Sequence, residues 1–379
     1  MTKQGVNERF NESAVRLLKK LLQDQLQGQL TTVVERERLS PLLKPFSAVK
    51  VKDSTRFQLP AHLREDYPGS TGASSGSGLH IQFEFDVLSG KVIDLDLTDA
   101  MQQDNTDAKQ KVSAIEPGDL ILRDLGYFSL GVLEHIDREK AYFITRKYTN
   151  MLLHDADSGK QVDYDALYNR MKDQGISFVE LPVRTTNDLN LRLIVEMLPQ
   201  EQVDRKLAKA KIQAGKKGGS GRLTKKYRSM ARLNMFLTNV PTESIAGQDV
   251  RKLYRLRWQI ELCFKGWKSF YNIDHVKEMK KHRFECYLYG KLLILMVNWE
   301  IAMTYRAFLL RFRGKPLSIL KFLKATSRNI AAFTKALLIG GRALGQHLES
   351  LYQSSTKMLC EKKKDHTAPL EEILLSILA

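Results

Sequence analysis

The chain has 379 residues, of which 43% are hydrophobic, which is enough for a buried core and two or three domains. It has 60 Lys and Arg against 43 Asp and Glu, which gives a formal net charge of +17. A charge of this size favours a polyanionic partner such as DNA or RNA. The charge alone is equally compatible with a basic protein that binds no nucleic acid. Three cysteines without zinc-finger or CxxC spacing argue against a disulfide framework, and the first residues contain no signal-peptide run, so a cytoplasmic protein is expected.

The chain opens with a predicted helix and a predicted strand. Hydrophobic residues near helical spacing predict an amphipathic helix over residues 6–28. Ala48–Asp53 alternates in polarity and is predicted to be a strand that ends on the Asp53 carboxylate. The Gly- and Ser-rich stretch Pro68–Gly78 is predicted to be a flexible connector.

Several short strands are predicted next. His80–Val87 and Val92–Leu97 fit a hairpin closed by a Ser-Gly turn. Asp119–Arg123 is a short apolar strand with Asp124 at its end, and Tyr142–Tyr148 is another strand. A strand-rich part followed by a helix-rich part predicts an α+β or mixed-sheet core. Three further acids on or after the second hairpin strand are interpreted as solvated residues: Asp94, Asp96 and Asp99.

Residues 149–235 break this pattern and are interpreted as an insertion. They contain two strand candidates, Ser177–Val183 and Leu191–Met197, before a return strand at Asn234–Val240. The run Arg205–Arg232 has many Lys and Arg, several Gly and no Asp or Glu. It is interpreted as a mobile basic loop, and phosphate contact is favoured over the alternative of a solvated surface loop.

The most informative segment is Tyr254–Lys268, which contains no Pro and is predicted to be one helix. Intervals of three and four residues place five polar side chains on one predicted face: Tyr254, Arg257, Glu261, Lys265 and Lys268. A packed role is favoured over base stacking for Trp258 and Trp267. Leu292–Val297, further on, is interpreted as part of a buried core helix and not as a membrane span.

The polar face of this helix can be interpreted in two ways. The more common case for such a pattern is a solvent-exposed helix with ion pairs such as Arg257–Glu261. The aromatic residues beside the face, the net positive charge and the two upstream acids at predicted strand ends, Asp53 and Asp124, favour a catalytic site instead. Two aspartates and a glutamate are an all-oxygen ligand set for magnesium, and two such ions can activate water and stabilise a leaving oxygen. Asp119 is a rival to Asp124, but the carboxyl ends of strands usually face the substrate cleft.

At these residues the sequence resembles a known family. The pattern of Tyr, two residues, Arg, three residues, Glu, six residues and Lys is similar to the YREK signature of the insertion-sequence-four family of bacterial DDE transposases. The stretches DSTRFQLP from Asp53 and DLGYF from Asp124 resemble the regions around that family's two catalytic aspartates. The resemblance covers about residues 5 to 300.

The resemblance implies a ribonuclease H-like fold of the mixed α+β class, interrupted by a largely β insertion. The implied parts are an N-terminal helical region (1–45), a first core part (46–148), the insertion (149–235), a second core part with the signature helix (236–300) and a C-terminal helical region (301–379). Family members often carry a longer N-terminal DNA-binding region, so residues 1–45 are expected to be a shortened form of it.

The resemblance also implies roles. The catalytic and metal-binding residues would be Asp53, Asp124 and Glu261, holding two Mg²⁺ ions that Mn²⁺ could replace; the DNA-contacting residues would be Tyr254, Arg257, Lys268 and, with a similar position, Lys265. The family nicks DNA at the element end, the freed 3′-hydroxyl forms a hairpin, water reopens it, and the 3′-ends join target DNA. The implied partners are terminal inverted repeats, target DNA and a second copy of the chain on paired ends, at the bacterial nucleoid and with no membrane.

Three other functions are weighed against this one. A ribonuclease H-like nuclease would hydrolyse DNA without joining strands. An inactive, transposase-derived DNA-binding protein would have no use for an acidic cluster beside DNA. A tyrosine recombinase would need an Arg/His cluster and a nucleophilic Tyr, and the carboxylates disfavour it.

Overall fold

A computed structural model describes residues 3–29, 39–69, 75–127, 129–216, 223–313 and 317–359. The strands are β1 (Val49–Gln58), β2 (Gly78–Asp86), β3 (Val92–Asp99), β4 (Leu120–Arg123), β5 (Tyr142–Arg146), β6 (Leu153–Asp155), β7 (Phe178–Thr185), β8 (Asn190–Met197) and β9 (Leu233–Thr238). The helices are α1 (Lys3–Glu8), α2 (Glu12–Gln27), α3 (Asp104–Gln110), α4 (Leu130–Arg138), α5 (Tyr164–Asp173), α6 (Gln200–Lys216), α7 (Lys225–Ala231), α8 (Gly247–Tyr254), α9 (Trp258–Tyr271), α10 (Lys281–Arg313), α11 (Ile319–Arg328), α12 (Ile330–Ile339) and α13 (Gly341–Leu359).

The chain is of mixed α/β class and divides into two compact units. Unit 1 comprises residues 1–107 and 256–379, and unit 2 comprises residues 108–255. The predicted order of strands first and helices after residue 247 is confirmed for the described residues. The predicted connector after Pro68 is described only in part, because residues 70–74 lie outside the described ranges.

In unit 1, β1, β2 and β3 form an antiparallel meander in which β2 is central. The predicted hairpin between β2 and β3 is confirmed, and it turns at Gly90 with a φ of +76°. A Cβ atom on Gly90 would lie 2.4 Å from the Cγ atom of Met303, so helix α10 leaves no room for a side chain there. The indole of Trp299 also donates a hydrogen bond to the Gly90 carbonyl at 2.7 Å. The turn is thereby fixed to the longest helix of the unit.

One face of this meander is apolar and is covered by helices of unit 1. Phe83 and Phe85 alternate with polar residues along β2, and both are fully buried. The Phe83 ring lies 4.9 Å from the ring of Trp267 on α9, and the Phe85 ring lies 4.7 Å from that of Trp299 on α10. Large aromatic contacts therefore set the position of α9 and α10 on the sheet.

The flanking helices of unit 1 follow the hydrophobic pattern. The predicted N-terminal helix is confirmed over residues 12–27, but it does not run unbroken from residue 6. Helix α1 ends at Glu8, and Asn11 accepts a hydrogen bond from the amide of Ala14 at 3.0 Å and caps the start of α2. Helix α10 is long and apolar enough to cross a membrane, but Leu292, Leu295 and Trp299 are buried within the unit. The interpretation of this segment as a core helix is confirmed.

Unit 2 contains a six-stranded mixed sheet in the order β4-β5-β9-β8-β7-β6. Strands β4 and β5 are parallel, and the other neighbouring pairs are antiparallel. The strands predicted at Ser177–Val183, Leu191–Met197 and Asn234–Val240 are confirmed as β7, β8 and β9. A buried cluster that includes Phe143, Leu193 and Leu237 forms the core of the unit.

The prediction of a mobile loop over Arg205–Arg232 is wrong for most of that run. Residues up to Lys216 belong to α6 and residues from Lys225 belong to α7. The Lys, Arg, Ala and Leu residues of this run are good helix formers, and their intrinsic preference decides the structure more than the clustered charge does. The glycine-rich part, residues 217–222, lies outside the described residues.

Candidate active site

Asp53 lies in the middle of β1, and the prediction that the strand ends on this carboxylate is wrong. The strand continues to Gln58 because residues 54–58 keep their pairing with β2 as far as Gly78. Asp53 is the direct cross-strand partner of Phe83, so both side chains lie on the same face of the sheet. Phe83 packs against Trp267 of α9, and this contact fixes the helix on the face that carries Asp53.

The single helix predicted over Tyr254–Lys268 is also wrong. Helix α8 ends at Tyr254, residues Arg255–Arg257 form a 3₁₀ turn, and α9 begins at Trp258. A 3₁₀ turn has about three residues per turn, so it breaks the angular register that a continuous α-helix would keep. Tyr254 therefore does not belong to the helix that carries Glu261.

From residue 257 onward the predicted face is present. Ile260 and Trp267 of α9 are buried, as predicted for the inner side. Lys265 is exposed, and Glu261 and Lys268 are half-buried, as is Arg257, which directly precedes the helix. The ammonium of Lys268 donates a hydrogen bond to the Arg56 carbonyl of β1 at 3.2 Å. The outer side of α9 thus carries three cations and one carboxylate.

Arg257 joins the two predicted catalytic carboxylates of unit 1. Its Nη1 atom donates to Oδ2 of Asp53 at 3.0 Å, and its Nη2 atom donates to Oε1 of Glu261 at 2.5 Å. The side chains of Arg257, Asp53 and Glu261 are 14%, 21% and 31% exposed, so water reaches all three. The carboxylates from the strand and from the helix therefore converge on a single cationic centre. The ion pair with Glu261 is the contact named in the alternative reading of an exposed helix, and neither reading of the sequence includes the bond to Asp53.

The opposite face of β1 is held by buried charges. Lys52, next to Asp53 in the chain, is fully buried and lies 2.6 Å from Asp107 of α3, 2.9 Å from Asp94 of β3 and 3.7 Å from Glu84 of β2. The interpretation of Asp94 as a solvated residue is therefore wrong. The signal in the sequence is the polar set at every second residue of β2, which would ordinarily face solvent and is buried here.

A second acid of α3 ties β1 from the same side. Asp104 accepts hydrogen bonds from the Ser54 hydroxyl at 2.8 Å and the Gln82 amide at 3.0 Å, and it lies 3.2 Å from the ring of the buried His80. Burial raises the pKa of Asp104, but the hydrogen bonds from His80, Ser54 and Gln82 outweigh it and lower the pKa to about 2. Lys52 and Ser54, which flank Asp53, are both anchored to α3, so the backbone that carries Asp53 is fixed on both sides.

In unit 2, Asp124 directly follows β4, as predicted, and is partly exposed. Its carbonyl accepts a hydrogen bond from the Tyr127 amide at 3.0 Å, which closes the 3₁₀ turn after the strand. Asp119, its rival, is buried, and its carboxylate accepts a hydrogen bond from the amide of Glu116 at 2.7 Å. Asp119 thus holds the turn before β4 while Asp124 remains available. Phe128 of the same motif lies outside the described residues.

Tyr254 is buried in unit 2 and does not lie on an exposed surface. Its ring packs 5.2 Å from that of Phe236, and the Arg146 guanidinium lies 5.8 Å from its centre. Its hydroxyl donates a hydrogen bond to the carbonyl of Arg123, the residue before Asp124, at 3.4 Å. The position suggests support for the end of β4 in addition to the predicted DNA contact.

Trp258 differs from the expectation of a packed residue, because half of its side chain is exposed. Trp267, for which the same role was predicted, is buried against Phe83 and Phe264. The two residues differ because Trp258, in the first turn of α9, lies outside the buried helix face formed by Ile260, Phe264 and Trp267.

A protein-family model and several curated relatives match most of this chain. The model of the "Transposase DDE domain" family matches residues 45–297, which include every residue of the predicted site. This chain belongs to the DDE transposase family. The transposase of insertion sequence element IS231F from Bacillus thuringiensis subsp. israelensis is 32% identical to it, over 84% of this chain and 69% of the relative. The transposase of element IS1151 from Clostridium perfringens is 27% identical over 99% of this chain and 82% of the relative.

A solved structure is also similar to this transposase at low identity. A synaptic complex of piggyBac transposase with hairpin DNA aligns with 86% of this chain and 62% of its own, at a TM-score of 0.42 and 10% identity. The family assignment rests on the sequence matches alone.

Proposed function

We propose that this DDE transposase moves its insertion sequence by cut-and-paste transposition, with DNA strand cleavage and transfer carried out by Asp53, Asp124 and Glu261. The observation that carries the proposal is the convergence of Asp53 and Glu261, from a strand and a helix fixed to each other by Phe83 and Trp267, on one cationic centre. Asp124 adds a partly exposed carboxylate after β4, where the family motif expects one.

The donor set fits a hard divalent cation. Asp53 and Glu261 already place carboxylate oxygens around one positive charge, and such oxygens are the ligands that Mg²⁺ and Mn²⁺ prefer. Among the described residues no group of three His, Cys, Asp or Glu is pre-arranged to hold a metal, so the pair of Asp53 and Glu261 carries this inference. Two bound Mg²⁺ ions would supply an activated water and stabilisation of the leaving oxygen.

The cations beside these carboxylates are proposed to hold the DNA backbone. Lys265 is exposed, Lys268 is half-buried with its ammonium on the outer side of α9, and Arg257 can offer two parallel donors to a phosphate. Tyr254 keeps its predicted DNA contact as a proposal that requires its hydroxyl to leave the Arg123 carbonyl. Helix α6 offers a further basic surface through exposed residues such as Lys209 and Lys211.

We infer a ribonuclease H-like fold with residues 149–235 as the insertion, flanked by the helical regions 1–45 and 301–379. The antiparallel order of β1, β2 and β3, followed along the chain by α3 and a parallel β4–β5 pair, supports this inference. The proposed partners are the terminal inverted repeats, target DNA and a second copy of the chain on paired ends, and the proposed location is the bacterial nucleoid.

The test uses a labelled duplex that carries the end of the element, incubated with the protein and Mg²⁺. Nicked DNA, then a hairpin, then joining to a second duplex is the expected sequence of products. Glu261→Gln should give none of these products, while without a divalent cation it should bind the duplex nearly as well as wild type does. Nicks without a hairpin or joined product would support a nuclease instead, and binding without any product would support a non-catalytic DNA-binding protein.

A further inference from the structure

The contact between Arg257 and the two carboxylates has a cost for a cation-dependent enzyme. The oxygen atoms Oδ2 of Asp53 and Oε1 of Glu261 both accept hydrogen bonds from the same guanidinium. A divalent cation bound by these residues would draw on the same carboxylate charge. Arg257 and the cation therefore compete, and the protein without DNA holds its two carboxylates in a partly neutralised state.

Arg257 is built for exchange between two anionic partners. It is the last residue of the 3₁₀ turn before α9, and its side chain, which is 14% exposed, is reached by solvent. Its guanidinium presents paired donors that match a carboxylate and a phosphate equally well. The outer side of α9, with Lys265 and Lys268, attracts a DNA backbone to the same place.

We propose that Arg257 is a latch that couples DNA binding to cation binding, a step that rests on the proposed function of Asp53 and Glu261. In the DNA-free protein it holds both carboxylates. When a DNA phosphate takes over the guanidinium, the carboxylates are released and the divalent cation binds more tightly. The carboxylate site therefore binds its divalent cation only weakly until DNA is bound.

Linkage makes the coupling measurable in both directions. If DNA tightens cation binding, the cation must tighten DNA binding by the same factor. Couplings between two sites in one protein are typically about 5- to 150-fold. Loss of the guanidinium should raise cation affinity in the absence of DNA. It should also remove the factor by which DNA and the cation tighten each other's binding. A merely structural ion pair would leave the factor unchanged.

The experiment measures Mn²⁺ binding by the electron paramagnetic resonance signal of the free ion, with the full chain alone and with an already cleaved end duplex. Wild type should bind Mn²⁺ at least about tenfold more tightly with the duplex than without it. Arg257→Gln should bind Mn²⁺ without DNA about as tightly as wild type does with DNA, and the duplex should then change its affinity less than about threefold. Arg257→Lys keeps the positive charge but offers a single ammonium, so the effect of the duplex on its Mn²⁺ affinity should lie between those of wild type and Arg257→Gln. This variant replaces Arg257→Gln in the test if the Gln variant does not fold.

Two further variants separate the possible failures. Lys252→Gln removes one exposed positive charge that is paired with Asp249 and should keep the wild-type coupling, which controls for net charge. Equal coupling in wild type and Arg257→Gln would overturn the latch while the proposed function stands. Mn²⁺ binding that Glu261→Gln leaves unchanged would overturn the cation site itself, and the latch with it.

Discussion

Lys52→Met tests the buried charges beneath β1. The lysine is fully buried, and its ammonium lies within 4 Å of three carboxylates, of which those of Asp107 and Glu84 are also buried. Methionine has a similar volume, so the substitution removes the charge with little change in packing. It leaves Asp94, Asp107 and Glu84 close together without their shared cation.

The cost follows from burial. Removal of one partner of a buried ion pair destabilises a protein by about 3–5 kcal/mol, because a charge is left uncompensated. In a domain of about 150–250 residues each kcal/mol corresponds to about 2–4 °C in Tm, so we expect a fall of about 6–20 °C. Lys20→Met is the matched control in the same unit: its partner Asp24 lies at 2.5 Å but the lysine is 66% exposed, so it should cost less than about 1 kcal/mol.

Thermal unfolding followed by circular dichroism, with urea unfolding as a second measure, gives both numbers. A further variant probes the mechanism, since Asp107→Asn should destabilise wild type but should restore stability when Lys52→Met is already present. A fall in Tm no larger than that of Lys20→Met, or additive effects of the Lys52 and Asp107 substitutions, would refute the reasoning.

Three more predictions concern the turn, the DNA face and a buried lysine. Gly90→Ala should destabilise by about 1–3 kcal/mol because a Cβ atom would meet Met303 at a positive φ, whereas Gly131→Ala, which meets nothing within 4 Å, should be neutral or stabilising; urea unfolding of both variants decides. Lys268→Ala should weaken binding to end DNA and lower the slope of log affinity against log salt by about 1, and an unchanged slope in a filter-binding titration would remove it from the contact list. Burial, with Lys226 nearby, lowers the pKa of Lys147 to about 8, so the folded state loses its proton before the unfolded state does. Lys147→Met should therefore raise Tm, with its largest gain below pH 8 and a gain that shrinks as the pH rises toward 10.5. A gain in Tm that does not depend on pH would contradict this.

The strands could be predicted because alternation is a local property. The hairpin of β2 and β3 follows from two-residue periodicity and turn residues, and the strand β4 before Asp124 follows from a short apolar run. The same alternation predicts an end of β1 at Asp53, five residues before the strand ends at Gln58. The polar residues after Asp53 alternate as well, and their pairing with β2 shows that a polar face can be buried.

The candidate site was predictable in its residue types and not in its contacts. The spacing of Arg257 and Glu261 is compatible with an ion pair, because i and i+4 side chains are neighbours on a helix, and the sequence offers that pair as the alternative to a catalytic site. The bond from Arg257 to Asp53, 204 residues away in the chain, depends on how α9 packs on Phe83. The break at residues 255–257 and the burial of Tyr254 are not marked by any Pro or Gly at residues 254–257, so helix propensity alone does not predict them.

The most direct test of the account compares single-turnover cleavage of end DNA by four variants at fixed Mg²⁺. Asp53→Asn, Asp124→Asn and Glu261→Gln should each lose about a hundred- to a thousandfold in rate, as the loss of a charge-stabilising group at the reacting centre requires, while DNA affinity measured without a divalent cation stays near that of wild type. The control variant Glu278→Gln, which changes an exposed acid of unit 1, should cleave at the wild-type rate. Cleavage within tenfold of wild type by any of the first three would contradict the assignment of that carboxylate to the active site.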